Sequence, residues 1–304
     1  MWFKNLKVFT FTKPFKIDAE KIEEQMQSDG FVPCTTLELS KMGWVSPLGK
    51  SGQMLTHVAS GNLWFNQRKE EKILPSAVIK DALDEKVAEL EEKSGTPLTK
   101  RQKSDIKEEI IHQLLPKAFS KFSHVQGYIS EKHQWIVIDA GSDKKAEDCL
   151  ALLRKSLGSF PVVPVQPSKA VTEILTHWVV DHDLPVPFVL ENEAEFKYPG
   201  EDGGIIKCKN QDLTSDEISA HIEADKQVTQ LRITWDETLS CTLAEDASVK
   251  RMRFTDVVKE QNEDITKEDM FARLDADFTL MTGEVNRFLE SLFNVFQVEL
   301  VNPE

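Results

Sequence analysis

PSAVIKDALDEKVAEL, residues 75–90, and TKRQKSDIKEEIIHQLLPKAFSKF, residues 99–122, are the stretches whose reading decides the fold. Ile79, Leu83, Val87 and Leu90 recur at helical spacing with Glu and Lys between them, which predicts an amphipathic helix after Pro75. Gly95, Thr96 and Pro97 break it. Thr99 and Gln102 have the form of a capping box that opens a second helix. That helix is expected to bury Ile106, Ile110, Ile111, Leu114 and Leu115 until Pro116 ends or kinks it. The segments on either side read as strands, so a helical hairpin is inserted into sheet.

Upstream, the aromatic and β-branched segment from Trp2 to Phe11 predicts a strand. Met54–Val58 and Leu63–Gln67 flank Ala59-Ser60-Gly61-Asn62 as the arms of a β-hairpin. Downstream, Val125–Ser130 and Trp135–Asp139 predict a strand pair. Ser142 caps a helix that turns Ala146, Cys149, Leu150, Leu153 and Leu157 inward, and Gly158 stops it. Pro161, Pro164 and Pro167 form a stiff connector, the best candidate for a domain boundary. Beyond it, Thr214 and Glu217 have the form of another capping box. Val228–Trp235, Thr238–Leu243 and Val249–Phe254 predict a three-stranded meander. A long helix starting near Thr266 carries Phe271, Leu274, Phe278, Met281, Val285, Phe288, Leu292 and Phe296 on one side. The class is α+β, with mixed sheets, an inserted helical hairpin and a long C-terminal helix.

The 304 residues include 37 Lys+Arg against 51 Asp+Glu, a formal charge of −14, and are 40% hydrophobic. That balance excludes collagen-like, low-complexity and wholly disordered classes. No stretch approaches the ~18 uninterrupted apolar residues of a membrane span. The opening residues lack a secretory apolar run, so a cytoplasmic location is expected. Cys34, Cys149, Cys208 and Cys241 lie far apart and read as reduced hydrophobes. The acidic total conceals polarity: residues 1–16 carry +4 and residues 100–132 carry +3, whereas residues 255–304 carry −8. Local potential rather than total charge governs attraction of a polyanion.

Catalytic patterns fail on spacing. Gly49-Lys50-Ser51 ends like a phosphate-binding loop, but Gly43 stands one residue too far upstream and Trp44 occupies its place. His177, Asp181, His182 and Asp183 lack a metal-ligand frame, and Asp275 and Asp277, two apart on a helix, point in different directions. Two stretches suit binding instead. Lys117 and Lys121, with Phe119 and Phe122 beside them, could contact phosphates and plug or stack, or could be solvated lysines beside core aromatics. Lys207 and Lys209 alternate on one strand face before Asn210 and Gln211, which suits backbone phosphate contact or a strand edge kept soluble by lysine. Lys250, Arg251 and Arg253 form a weaker basic patch.

Together with MWFKNL at residues 1–6, KMGWV at 41–45, LTHVA at 55–59 and RKEEKILPS at 68–76, these stretches form a recognisable series. KKAED at 144–148, QDLT at 211–214, QNEDI at 261–265 and DADF at 275–278 continue it. The chain resembles the RdgC family of bacterial recombination-associated proteins from its first residue to about Glu284. The resemblance implies a non-enzymatic, nucleoid-associated protein without a cofactor. Such a protein binds duplex DNA with little sequence preference, forms a closed homodimeric ring around a basic hole and restrains RecA filament formation. It implies a centre domain at residues 1–74 and 121–165, a helical tip at 75–120 and a base at 166–304. It assigns Phe119 to the dimer gate at the tip and Lys117, Lys121, Lys207, Lys209 and Gln211 to DNA, with Lys100 and Arg101 of the tip added to that set. Asn210 stands where relatives carry a second lysine. The implied partners are double-stranded DNA, with single-stranded DNA as a second form, another copy of the chain, and the recombinase. Two rival readings are a modulator acting directly on the recombinase through its acidic exterior or C-terminal helix, and a metal-dependent nuclease using Asp275 and Asp277.

Overall fold

In the computed structural model, which describes residues 2–200, 203–262, 265 and 269–300, the first half of the chain runs as follows. It comprises β1 (Lys7–Phe11), α1 (Ala19–Gln27), β2 (Ser40–Val45), β3 (Thr56–Ala59), β4 (Asn62–Lys72), α2 (Ser76–Ser94), α3 (Lys100–Leu114), β5 (Ser120–Ser130), β6 (Trp135–Ile138) and α4 (Asp143–Leu157). The second half contains β7 (Val162–Pro164), α5 (Val171–Asp181), β8 (Phe188–Lys197), β9 (Ile205–Lys209), α6 (Asp216–Glu223), β10 (Gln227–Trp235), β11 (Leu239–Ala244), β12 (Val249–Phe254), α7 (Asp256–Lys259) and α8 (Met270–Phe296). The class is α+β, but the sheets are not mixed: every pair of named strands is antiparallel.

β4 and β5 pair without a break from Asn62↔Ser130 to Lys72↔Ser120, a ribbon about 33 Å long at strand rise. The helical hairpin takes the place of the turn at the ribbon's far end, so the insertion leaves the sheet register untouched. Its boundaries follow local chemistry. Gly95 ends α2 in the left-handed region at φ 66°, and Thr99 and Gln102 cap α3 reciprocally. The packing is thinner than the sequence pattern predicts: α2 has no buried residue, and of the α3 set only Ile110 is buried, with Leu115 just beyond. The other apolar residues of the two helices are half-buried against each other or exposed.

The first sheet runs β2-β4-β5-β6-β1-β7, with β3 also on β4. Alternation along its strands feeds two cores. Leu63, Phe65, Ile129, Ile136 and Ile138 face α1 and α4, whereas Trp64, Tyr128, Trp135 and Val137 face the second half of the chain. The second sheet runs β12-β11-β10-β8-β9, and α5 and α8 pack into its core. The predicted first strand begins only at Lys7, because residues 4–6 instead border β12: Leu6 exchanges backbone bonds with Val249 at 2.7 and 3.1 Å, and Met252 donates to Lys4 at 2.8 Å. The Thr214–Glu217 box does not form; Asp212 accepts from Thr214 and Ser215 occupies the N-cap of α6. The predicted helix start at Thr266 lies outside the described residues; α8 is described from Met270, with Asp269 capping it through the Ala272 N–H.

α8 is held by a buried polar network. Asn286 Oδ1 accepts from Tyr128 Oη at 2.7 Å and from Trp135 Nε1 at 3.2 Å, and Asn286 Nδ2 donates to Asn62 Oδ1 at 3.3 Å. On the opposite side of the helix, Phe288 meets Trp235 and Phe188 of the second sheet. A second cross-tie is Lys7, buried on β1, which pairs with Asp143 at 2.6 Å and Asp246 at 2.5 Å. Burial opposes the charge on both partners. The two carboxylates outweigh that and raise the Lys7 pKa, while Lys7 and Ser248 hold Asp246 down to about 2.

Replacing Asn286 with Ala strands two buried donors and is expected to lower stability by about 3 kcal/mol, read from the urea midpoint, with Tyr128→Phe costing less. The Asp246 carboxylate stabilises the fold fully above its ordinary pKa of 3.8, and that contribution is lost as pH falls through about 2. Asp246→Asn is therefore expected to be less stable than the wild type at pH 6, with the gap closing as both are titrated towards pH ~2 in parallel denaturant melts.

Candidate nucleic-acid interface

A break in the chain builds the foot of the hairpin. Leu115 is buried and opens a 3-10 turn through Lys117, where Pro116 supplies no N–H to prolong the helix. Ala118 donates to Leu115 at 3.2 Å, and Ile73 donates to the Phe119 carbonyl at 2.8 Å, so the backbone is pinned while the Phe119 ring is left outside. That ring is 84% exposed, and Phe122 is 46% exposed, so neither belongs to a core. Lys117 and Lys121 flank Phe119, both exposed and without an ion-pair partner among the described residues.

Lys100 and Arg101 do not join them. They lie exposed at the opposite end of α3, about 21 Å away along the helix axis. They occupy a first turn that holds no acidic residue, a location the helix dipole disfavours for cations.

The second predicted row lies on β9, an edge strand whose residues alternate between exposed and half-buried. Lys207 and Lys209 stand opposite Glu195 and Glu193 of β8. Lys207 reaches back to Glu195 at 2.9 Å. Burial alone would raise the Glu195 carboxyl, but hydrogen bonds from Lys207, Thr229 and Gln230 more than reverse this and hold it below the usual range. Arg251 comes within 2.8 Å of Glu193, close enough for an ion pair though off-line for a hydrogen bond. Together with Lys209 these residues line a shallow concavity in which three cations face two carboxylates. Gln211 donates to Glu217 at 3.3 Å. The row is therefore a mixed surface, and Lys209 is its cation without an ion-pair partner among the described residues.

The acidic pair of the nuclease reading is divided. Asp275 faces His57 at 2.7 Å, and Asp277 accepts from Asn262 at 3.1 Å. Among the described residues no three His, Cys, Asp or Glu side chains converge as a metal site. Gly49-Lys50-Ser51 is a 3-10 turn with no helix on it. His177 and Asp181 bond each other across one turn of α5. The four cysteines are free, Cys149 and Cys241 deep in core. Among the described residues no helix is long and apolar enough to cross a membrane. One cation escaped the sequence reading: Arg68, whose guanidinium lies against the Phe31 and Phe122 rings. The signal available was its even spacing from Trp64, which puts both on one face of β4.

Comparison with known proteins gives one consistent answer. The family model described as "Putative exonuclease, RdgC" matches residues 1–299. A protein of Aeromonas hydrophila named Recombination-associated protein RdgC is 49% identical over 293 residues, covering 96% of this chain and 97% of the relative. Proteins of the same name from Tolumonas auensis, 49% identical with 96% and 97% covered, and from Proteus mirabilis, 46% identical with 97% and 98% covered, match equally broadly. The relatives' shared name describes a role in recombination and does not name an enzyme, whereas the family description carries the word exonuclease. On likeness that spans nearly all of the chain and nearly all of its relatives, this protein belongs to the RdgC family.

Proposed function

We propose that this chain is a non-sequence-specific, double-stranded DNA-binding protein that works as a closed homodimeric ring with a basic hole. It modulates recombination by restraining RecA filament formation and does no chemistry of its own. The observation that carries the reading is the foot of the hairpin: a Phe119 ring 84% exposed on a pinned backbone between two exposed lysines that have no ion-pair partner among the described residues. An apolar ring held out in water gains about 2–3 kcal/mol on docking into a partner pocket, which suits a gate between two copies. Lysines beside that gate suit phosphates, because they supply charge without reading bases. Lys209, Lys207 and Gln211 supply a second contact, and Lys100 and Arg101 serve duplex further out along the tip. In this reading residues 75–120 are the tip, residues 1–74 with 121–165 the centre and residues 166–304 the base of each subunit, in the nucleoid of the cytoplasm. Acidic residues outside such a ring and lysines within it reconcile a charge of −14 with attraction to DNA.

Duplex binding measured against salt tests this. Lys117→Glu and Lys209→Glu are each expected to weaken binding to unrelated sequences alike and to reduce the slope of log affinity on log salt by about 0.9 or more. Phe119→Ala is expected to lower affinity with the slope kept, and to open the ring at the tip, read as a larger radius at an unchanged two-chain mass in light scattering. Wild-type slopes in both lysine variants together with wild-type affinity in Phe119→Ala would overturn the assignments, and recombinase restraint surviving both charge reversals would point to direct protein contact.

The exonuclease of the family description receives its own experiment. With Asp275 tied to His57 and Asp277 to Asn262, the purified protein is expected to leave end-labelled duplex intact in Mg²⁺. Cutting that disappears in Asp275→Asn or Asp277→Asn would restore the nuclease reading.

A further inference from the structure

Arg68 sits on β4 opposite Gly43 of β2 and His124 of β5. Gly43 sets its surroundings, because a Cβ there would lie 2.5 Å from the Phe31 Cα. Without that atom the backbone at Gly30 and Phe31 can close in on β2, where Gly30 forms a parallel bridge with Trp44: Phe31 N–H donates to the Trp44 carbonyl at 2.8 Å and Trp44 N–H to the Asp29 carbonyl at 3.0 Å. The Phe31 ring thereby comes to 4.8 Å from the Arg68 guanidinium, and the Phe122 ring approaches to 4.3 Å. Two rings hold one planar cation.

No carboxylate among the described residues lies within ion-pair distance of that cation, although its charge, after the hydrogen bonds from Ser120 and Cys34, helps to hold the Glu70 carboxyl below its usual range. Arg68 makes no ion pair among the described residues, and its Nε is buried without a hydrogen-bond partner, while the other guanidinium nitrogens are not buried. Glu70, two residues along, is buried and accepts from Cys34 N–H at 2.8 Å and from Ser120. A half-buried arginine with no anion in ion-pair contact carries a desolvation cost that ring contacts return only in part. The same rings fix the plane of its donor fork, which is the geometry that receives phosphate oxygens in pairs. Phe122 lies three residues from Phe119 on the same chain segment, about 10 Å at strand rise, so this platform continues from the hairpin foot.

We propose that Arg68 is a further phosphate-contacting residue, its fork donating to a backbone phosphate of duplex DNA while Phe31 and Phe122 hold its plane. This rests on the duplex-binding reading above. Salt titrations of full-length Arg68→Gln, Arg68→Lys and Lys117→Glu on one duplex decide it, with melting curves to confirm that each variant folds. Arg68→Gln is expected to bind about tenfold more weakly at low salt, with the slope reduced by about 0.9 for each protomer in contact. Arg68→Lys keeps the charge but not the fork, and is expected to retain the slope while binding several-fold more weakly. If Arg68→Gln melts early, Arg68→Lys alone decides, and wild-type affinity in that variant overturns the assignment. A wild-type slope in folded Arg68→Gln, beside a reduced one in Lys117→Glu, removes Arg68 from the interface and leaves the DNA reading intact. A wild-type protein that ignores duplex at every salt concentration removes both.

Discussion

The architecture depends on one amide. α8 packs among apolar residues of both sheets, where a slip by one helical turn would keep the same face inward. Asn286 forbids it, because Tyr128 and Trp135, both fully buried on the first sheet, donate to the same oxygen and Asn62 accepts from its nitrogen. Each donor left unmade would cost about 1–3 kcal/mol, so the register that satisfies all of them is selected. Phe288 then packs on Trp235 of the second sheet, and the two halves of the chain acquire a fixed relation through a helix that bonds one and fills the other.

Counting charges misleads because many of the cations are already occupied. Lys7 is drawn inside between Asp143 and Asp246, and Arg232 is buried against Glu191. Lys207 is turned towards Glu195. Among the cations without an ion-pair partner in the described residues, Lys117, Lys121, Lys209 and Arg68 each sit on or beside a strand or turn whose backbone is fixed. A positive stretch in the sequence is therefore a poor guide to positive potential: residues 1–16 owe a quarter of their +4 to Lys7, a side chain that serves the fold.

What could be read from the sequence was whatever rests on neighbours. The Thr99 box, the Gly95 and Gly158 stops, the Ser60-Gly61 turn and the meander arise from residues within a few positions of one another. β8 was not visible, since FVLENEAEFK at residues 188–197 is rich in acids and becomes a strand only between β9 and β10. α1 and α5 are short, and each is stabilised by the core it enters more than by its own pattern. The same limit applies to function. For the candidate site, the break beside Phe119 was legible from Pro116, whereas the ring cluster around Arg68 was not, because its rings come from Phe31 and Phe122 and the space for one of them from Gly43. The Asn286 network joins residues more than 150 positions apart, which no local pattern encodes.

A helix pair that buries almost nothing and is rooted at one end only behaves as a cantilever. Its stability comes from its own two helices, so it can bend, or open locally, without disturbing either sheet. Small angular fluctuations at the root become large excursions at the free end, in proportion to the length of the arm. Two such arms that meet must each give up that freedom on contact, so the entropy of alignment is charged to association and not to folding. An exposed aromatic near the root, where excursions are smallest, is therefore better placed to make a lasting grip than one at the far end.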